Sequence, residues 1–428
     1  MSSNKYYEIG RSVLFPICRS LTGSGLRKTL LIIKKEFPQI KIRTFRSGKK
    51  VFDWKVPPEW NIKDAYVLDK YKNKIINFKN NNLHIVGYSI PIKKSVNKRE
   101  LINRIHVNEK LPNAIPYITS YYKKYWGFCC SKKVKKEIEK KYNFNDKFKI
   151  LIDSSLDKNG FLKFGELIIP GKSKQEILIS TYVCHPSMAN NELSGPIVSM
   201  SLINYFKKKI NLKTLRFIFI PETIGSIVYL NKNLKKLKKN IIGGFNLSCI
   251  GDERLHSCIL SKYSNSPSDY ALLKAYKLKK IKFKKFSFLE RGSDERQFNS
   301  PGIDIPITSI FRSKYGKFKE YHSSLDDFNL VTKKGLLGGF NIAKTAIEIL
   351  QKDVIPKSIF LCEPNLGKRN LYPTLSQNNL SKISQKYLDF LTYSDGKNNL
   401  ETISKYIKVK YSETLKIYKI LKKKKLIV

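Results

Sequence analysis

Ser180-Thr181-Tyr182-Val183-Cys184-His185-Pro186, then Ala189-Asn190-Asn191-Glu192-Leu193-Ser194-Gly195, is the stretch on which the fold turns. Residues 176–183 form a short apolar run, as in a strand buried on both faces. A histidine ends the run, and a helical pattern begins at 192. A strand that passes through a polar loop into a helix is the repeating unit of an α/β chain. A second histidine has a similar setting in Glu320-Tyr321-His322-Ser323-Ser324-Leu325-Asp326-Asp327. The chain has only 5 histidines in 428 residues, so two at strand ends beside carboxylates mark a candidate metal centre.

Outward from there the alternation continues. Strands are expected at 148–154, 161–168, 176–183, 214–220, 241–249, 256–261 and 305–311, with helices at 192–208, 223–238, 266–278 and 332–351. This pattern predicts an α/β fold, a central mostly parallel sheet flanked by helices. Ligands of such sheets gather at the carboxyl ends of the strands, and His185, Glu222 and Asp252 each follow one. Residues 8–37 read as helical, and residues 1–50 with 111–355 form the main domain. Residues 51–110 read as a small inserted β-rich module, with strands at 64–69, 73–78 and 83–88. After Pro356, helices at 379–392, 400–407 and 411–422 and a closing Leu426-Ile427-Val428 strand predict a winged helix-turn-helix domain over 356–428.

Composition narrows the function classes. Lys+Arg number 82 against 34 Asp+Glu, a formal charge of +48. That charge is spread along the whole chain and carried mainly by lysine, with asparagine and isoleucine abundant throughout. It reads as the bias of an A+T-rich genome more than as a nucleic-acid groove, which would favour arginine forks. Weak binding to polyanions at low salt is still expected. The 7 cysteines have no zinc-knuckle or redox spacing, so reduced thiols and a cytoplasmic location are expected. The longest apolar stretch, from Leu215 to Leu230, is interrupted by Pro221-Glu222, and no membrane span is expected.

Four motifs in order carry a family resemblance. The His185 stretch with Asn190-Asn191-Glu192-Leu193-Ser194-Gly195 resembles the strand-His and Asp-Asn-x-Ser-Gly signature of zinc aminopeptidases of the phosphorylase/hydrolase-like fold. Pro221-Glu222-Thr223-Ile224-Gly225-Ser226 resembles their Glu-Glu turn, and Gly292-Ser293-Asp294-Glu295-Arg296-Gln297-Phe298 their Ser-Asp-His segment. Tyr321-His322-Ser323-Ser324-Leu325-Asp326 resembles their last ligand loop. The inserted module, Ile115-Pro116-Tyr117, Trp126-Gly127-Phe128-Cys129 and the carboxy-terminal winged helix are similar to a narrower group. Those are bacterial proteins with an aminopeptidase-like domain associated with surface-polysaccharide biosynthesis.

The resemblance implies a zinc-dependent hydrolase of amide or peptide bonds. Its substrate would be a small peptide or an acylated amino sugar. His185 and His322 match metal ligands, and Glu222 matches a carboxylate of the Glu pair, as base or ligand. Asn191 stands at the bridging-Asp position, so Glu192 and Asp252 are the substitutes considered for the remaining metal ligands. Ser187 replaces the Asp that orients the first histidine. One zinc is expected, with two open. Asp294, Arg296, Arg312 and Tyr321 are expected at the substrate-binding edge, with an internal salt bridge as the other reading of Asp294 and Arg296. Asp326 and Asp327 are read as braces. The competing function is a non-catalytic binding protein with a degenerate metal site, whose winged helix contacts DNA or a protein partner. Homo-oligomerisation is left open.

Overall fold

The computed structural model describes residues 2–372 and 381–428. Eight strands form the main sheet: β1 Lys41–Arg46, β2 Phe161–Ile169, β3 Ser173–Tyr182, β4 Lys213–Ile220, β5 Ile241–Leu247, β6 Ser257–Ile259, β7 Lys284–Phe286 and β8 Ile307–Phe311. Their spatial order is β1-β2-β4-β3-β5-β8-β6-β7. The central four, β4-β3-β5-β8, are mutually parallel, and β2 and β6 join them antiparallel, so the sheet is mixed.

The sequence pattern of the central strands explains the layering. Successive side chains of a strand point to opposite faces. Ile177 and Ile179 of β3, with Phe217 and Phe219 of β4, enter one core with helices α1 Gly23–Glu36, α2 Ser194–Phe206, α4 Pro267–Leu278 and α5 Lys333–Lys352. Leu178 and Tyr182, with Ile218 and Ile220, enter a second core with helix α3 Ile224–Asn240. Both faces are covered, so apolar side chains dominate these strands on both sides, and the buried Arg216 of β4 is paired with Glu166 and Glu176.

The second core also takes in a smaller antiparallel sheet, ordered Lys74–Asn77, Glu59–Leu68, Lys147–Asp157, Ile92–Asn97. The strand expected at 148–154 exists, but it lies at the centre of this second sheet instead of in the main one. The helix expected over 8–37 is broken. A helix over Ser2–Glu8 runs into a wide turn over Ile9–Leu14, and the chain leaves helical structure before α1 starts at Gly23. Pro16 has no N–H to continue a helix. The break carries Arg19 into the interior, where it is 1% exposed.

The amino end of α2 sits against β5. A Cβ on Gly195 would lie 2.3 Å from both the Leu247 carbonyl oxygen and Thr181 Oγ1. Both are in the packed core, so Gly195→Ala is expected to destabilise the protein by about 1–3 kcal/mol, read as a lower urea midpoint.

Helices α6 Ser381–Thr392, α7 Leu400–Tyr406 and α8 Tyr411–Lys423 form the carboxy-terminal domain around Phe390, Leu400, Ile403, Ile417 and Leu421. Of the helix expected at 379–392, residues 379 and 380 lie outside the described residues. Val428 and Leu426 pair through their backbones with Lys357 and Ile359, so the expected closing strand is reduced to an isolated antiparallel bridge between Ser358 and Ile427. This domain meets the main body where Asn399 donates to Asp353 at 3.0 Å and Tyr270 bonds Glu401. Among the described residues, no helix is long and apolar enough to cross a membrane.

Candidate metal and active site

The ends of the parallel strands supply the site. β3 delivers Cys184 and His185, β4 delivers Glu222, and β5 leads through Cys249 to Asp252. The loop after β8 carries Arg312, Tyr321 and His322. Several residues here hold left-handed backbone that favours glycine: Ser187 (φ 33°), Thr223 (φ 64°), Cys249 (φ 48°) and His322 (φ 55°). Such strain persists only where the surroundings enforce it.

The two histidines meet. Their ring centroids are 5.6 Å apart, and Tyr117 packs edge-on against both, at 5.2 Å from His185 and 5.0 Å from His322. Tyr117 also donates its N–H to the His322 carbonyl at 2.8 Å. Tyr321 stacks on His322 at 3.9 Å. Burial, then the neighbouring His185, pushes the His322 pKa down to about 3, so the ring is neutral. Its Nε2 is buried without a hydrogen-bond partner. Two imidazoles on one tetrahedral zinc, each about 2.0–2.1 Å from the ion, place their ring centres about 5 Å apart. The observed spacing and the unpartnered nitrogen therefore fit a shared ion.

Glu222 faces the same side of His185, with its Oε2 3.6 Å from Nε2. Its side chain keeps 23% exposure. Desolvation raises its carboxyl above the usual range, against the pull of His185. Arg296 is beside it, donating from Nη2 to Thr223 Oγ1 at 2.5 Å, with a buried Nε that has no partner. Asp294 accepts from the Thr223 N–H and from Ser226 Oγ, each at 2.8 Å, and its Oδ2 is unpartnered. Burial, then the Glu222 charge, pushes the Asp294 pKa up to about 8. Asp294 thus lies inside the wall of the site instead of at its open edge, with no salt bridge to Arg296.

Three residues read from sequence as ligands or substrate contacts are committed elsewhere. Glu192 is fully buried behind His185, with Oε2 2.9 Å from Nδ1 on the far side of the ring from Glu222. Asp252 uses both oxygens on the loops, accepting from the N–H groups of Arg254 and Ser313, from Ser313 Oγ and from Asn190 Nδ2. That saturation corrects its reading as a metal ligand and makes it a brace between loops. Arg312 donates to the Asp252 carbonyl and bonds His256, so its guanidinium is tied to the loops. Asp326 acts as the expected brace, accepting from the N–H groups of Asn190 and Asn191 at 2.6 and 2.9 Å. Asn191 donates to the Tyr182 hydroxyl at 3.0 Å, leaving Oδ1 buried and unpartnered.

Sequence reasoning missed Arg19 and Tyr117. Nothing around Arg19 signals its role, because it meets His185 from 166 residues away. Tyr117 lies in the aromatic Ile115-Pro116-Tyr117 segment, whose Ile115 bonds Ser324 in the His322 loop at 3.0 Å. Among the described residues, one group of ligand types gathers within 4.8 Å: Cys184, His185 and Glu192. A dication there would face the Arg19 guanidinium, whose Nε is 3.3 Å from Glu192 Oε1. That ligand group lies on the Nδ1 side of His185, while Nε2 faces Glu222.

Residues 8–353 match the model of a domain of unknown function, DUF4910, and residues 354–428 match that of a winged helix-turn-helix. The chain is 41% identical over 404 residues to a Clostridium acetobutylicum protein named for polysaccharide biosynthesis and an aminopeptidase-like domain, covering 91% of this chain and 88% of that protein. It is similar to the crystal structure of a Clostridium acetobutylicum protein named as a peptidase, with a TM-score of 0.79 and 37% identity over 100% of this chain and 97% of that one. The zinc aminopeptidase of Bacillus subtilis shares the fold, with a TM-score of 0.60 at 13% identity, over 81% of this chain and 93% of that one.

Proposed function

The chain belongs to the DUF4910 family, continued by a winged helix-turn-helix, and from that premise we propose that it is a zinc-dependent hydrolase of amide bonds with aminopeptidase-like chemistry. The observation that carries the reading is the pair of imidazoles 5.6 Å apart, one just after β3 and one in the loop after β8, the second with a buried nitrogen awaiting a partner. His185 and His322 would hold one zinc. Zinc in such a site supplies Lewis acidity toward a scissile carbonyl. Glu222 accepts the proton of the attacking water and returns it to the leaving amine, a task suited to a carboxylate with a raised pKa and solvent contact. Arg296 binds a substrate carboxylate, and Tyr321 lines the pocket while holding His322 in place. The substrate is the amino end of a small peptide or an acylated amino sugar. The sugar arm draws on the name of the Clostridium acetobutylicum relative alone.

The diversion of Glu192 and Asp252, with Asn191 beside the site, supports a second reading. In it the scaffold binds a partner without turnover and the winged helix contacts DNA or protein. Metal analysis and a substrate screen separate the two. Protein purified anaerobically and supplied with zinc is expected to retain about one ion per chain. It is also expected to cleave aminoacyl amides or N-acyl amino sugars until a chelator is added. Protein that retains no zinc and cleaves neither class belongs to the second reading.

A further inference from the structure

Ser187, two residues after His185, stands where the resemblance to zinc aminopeptidases implies an Asp that orients the histidine. Ser187 Oγ instead donates to the Phe15 carbonyl and accepts from Asn82, so it gives His185 nothing. Yet the His185 ring is not loose. Its Nδ1 is 2.9 Å from Glu192 Oε2, and the Glu192 side chain has no exposure. Glu192 reaches that position because residues Ala189–Leu193 form a wide helical turn, whose first N–H groups are tied down by Asp326.

The carboxylate is held in turn. Arg19, with a side chain fully buried in the break before α1, places Nε 3.3 Å from Glu192 Oε1. The same Nε donates to the His185 carbonyl at 2.8 Å, and Nη1 donates to the Leu14 carbonyl. One guanidinium therefore hydrogen-bonds the backbone of His185 and sets its charge beside the carboxylate behind the ring, which it meets as an ion pair without a hydrogen bond to Oε1. A buried carboxylate without such a counter-charge would be costly.

We propose that Glu192, backed by Arg19, is a positioning residue that replaces the absent Asp. It keeps a proton on His185 Nδ1 and so presents Nε2 as the metal-accepting nitrogen. The role rests on the zinc reading above, but the proton it fixes is present with or without an ion. A carboxylate hydrogen-bonded to the free nitrogen of a metal-bound imidazole sets both ring orientation and basicity, and its loss typically lowers metal affinity by about 10–100-fold.

The test compares wild type, Glu192→Gln, Glu192→Leu and Cys184→Ser. Nitrogen-15 NMR reads the His185 ring, and chelator competition reads zinc affinity. Circular dichroism confirms that each variant is folded. In the metal-free wild type, a slowly exchanging, far-downfield proton on Nδ1 is expected. It moves upfield in the isosteric Glu192→Gln variant and is lost to exchange in Glu192→Leu. Zinc affinity falls by about 10–100-fold in Glu192→Leu and by less in Glu192→Gln, while Cys184→Ser leaves it within about threefold of wild type.

The proposal is overturned if the neutral wild-type ring, at a pH above its titration, carries its proton on Nε2 and not on Nδ1. It is also overturned if Cys184→Ser weakens zinc as much as Glu192→Leu, which would put the ion among Cys184, Nδ1 and Glu192. Should wild type bind no zinc, the zinc reading fails, and the Nδ1 proton with its response to Glu192→Gln still decides the pairing.

Discussion

His185→Ala and His322→Ala are each expected to abolish zinc retention and hydrolysis, whereas Glu222→Gln is expected to keep the ion and lose turnover alone. The difference follows from what each group offers. In the proposed site the two imidazoles would provide the nitrogens for the ion, and His322 has a buried nitrogen without another partner. Two imidazoles are already one fewer than the three protein ligands usual at catalytic zinc, so losing either leaves too little to hold the ion. Glu222 differs because its carboxyl reaches solvent and is held above the usual range by desolvation. An amide at the same position keeps size and hydrogen bonding but cannot take a proton. General acid–base groups contribute about 10²–10⁴-fold, so kcat of Glu222→Gln should fall by that amount with KM little changed. Zinc emission on the purified variants, alongside kcat and KM on one amide substrate, makes the comparison. Loss of the ion from Glu222→Gln would reassign Glu222 as a ligand and leave another group to carry the proton.

The main sheet was legible because its strands are buried on both faces. An uninterrupted run such as Glu176–Tyr182 cannot be an amphipathic helix, and β3 closely follows it. β1 and β7 were not legible. They are short, lysine- and arginine-bearing edge strands with mostly exposed side chains, so no hydrophobic period announces them. Lys147–Asp157 was recognisable as a strand but not by its neighbours, since alternation along one segment is silent about which sheet it joins. The site divides in the same way. His185 could be read because it closely follows a buried strand, and His322 because its Tyr-His-Ser-Ser-x-Asp segment has a motif of its own, although it lies in a loop well beyond the end of β8. The direction of Glu192 and Asp252 could not, because adjacency in sequence does not fix where a side chain points. The turn over Ala189–Leu193 sends Glu192 to Nδ1, and Ser313 captures Asp252 from 61 residues away. The helical period of 8–37 continued through the break that supplies Arg19, which hid the one cation the buried carboxylate needs.

That cation predicts the largest loss of stability. Arg19→Met keeps much of the volume and the apolar stem but removes the charge from a pair in which neither side chain has exposure. Glu192 would then be a buried carboxylate facing only His185, and the carbonyls of Leu14 and His185 would each lose a donor. Breaking a buried pair from one side typically costs about 3–5 kcal/mol, because the remaining charge stays desolvated. Urea denaturation of metal-free protein should show that loss with little change in slope. The double variant Arg19→Met/Glu192→Leu should recover part of it, since a packed apolar pair carries no stranded charge. A loss below about 1 kcal/mol in Arg19→Met, or no recovery in the double variant, would mean the carboxylate is neutralised by other means. The pair is then expendable for folding, and the break that brings Arg19 inward needs a different cause. With the expected result, the amino-terminal segment is part of the metal site's framework, because the residue that stabilises Glu192 also fixes the His185 backbone.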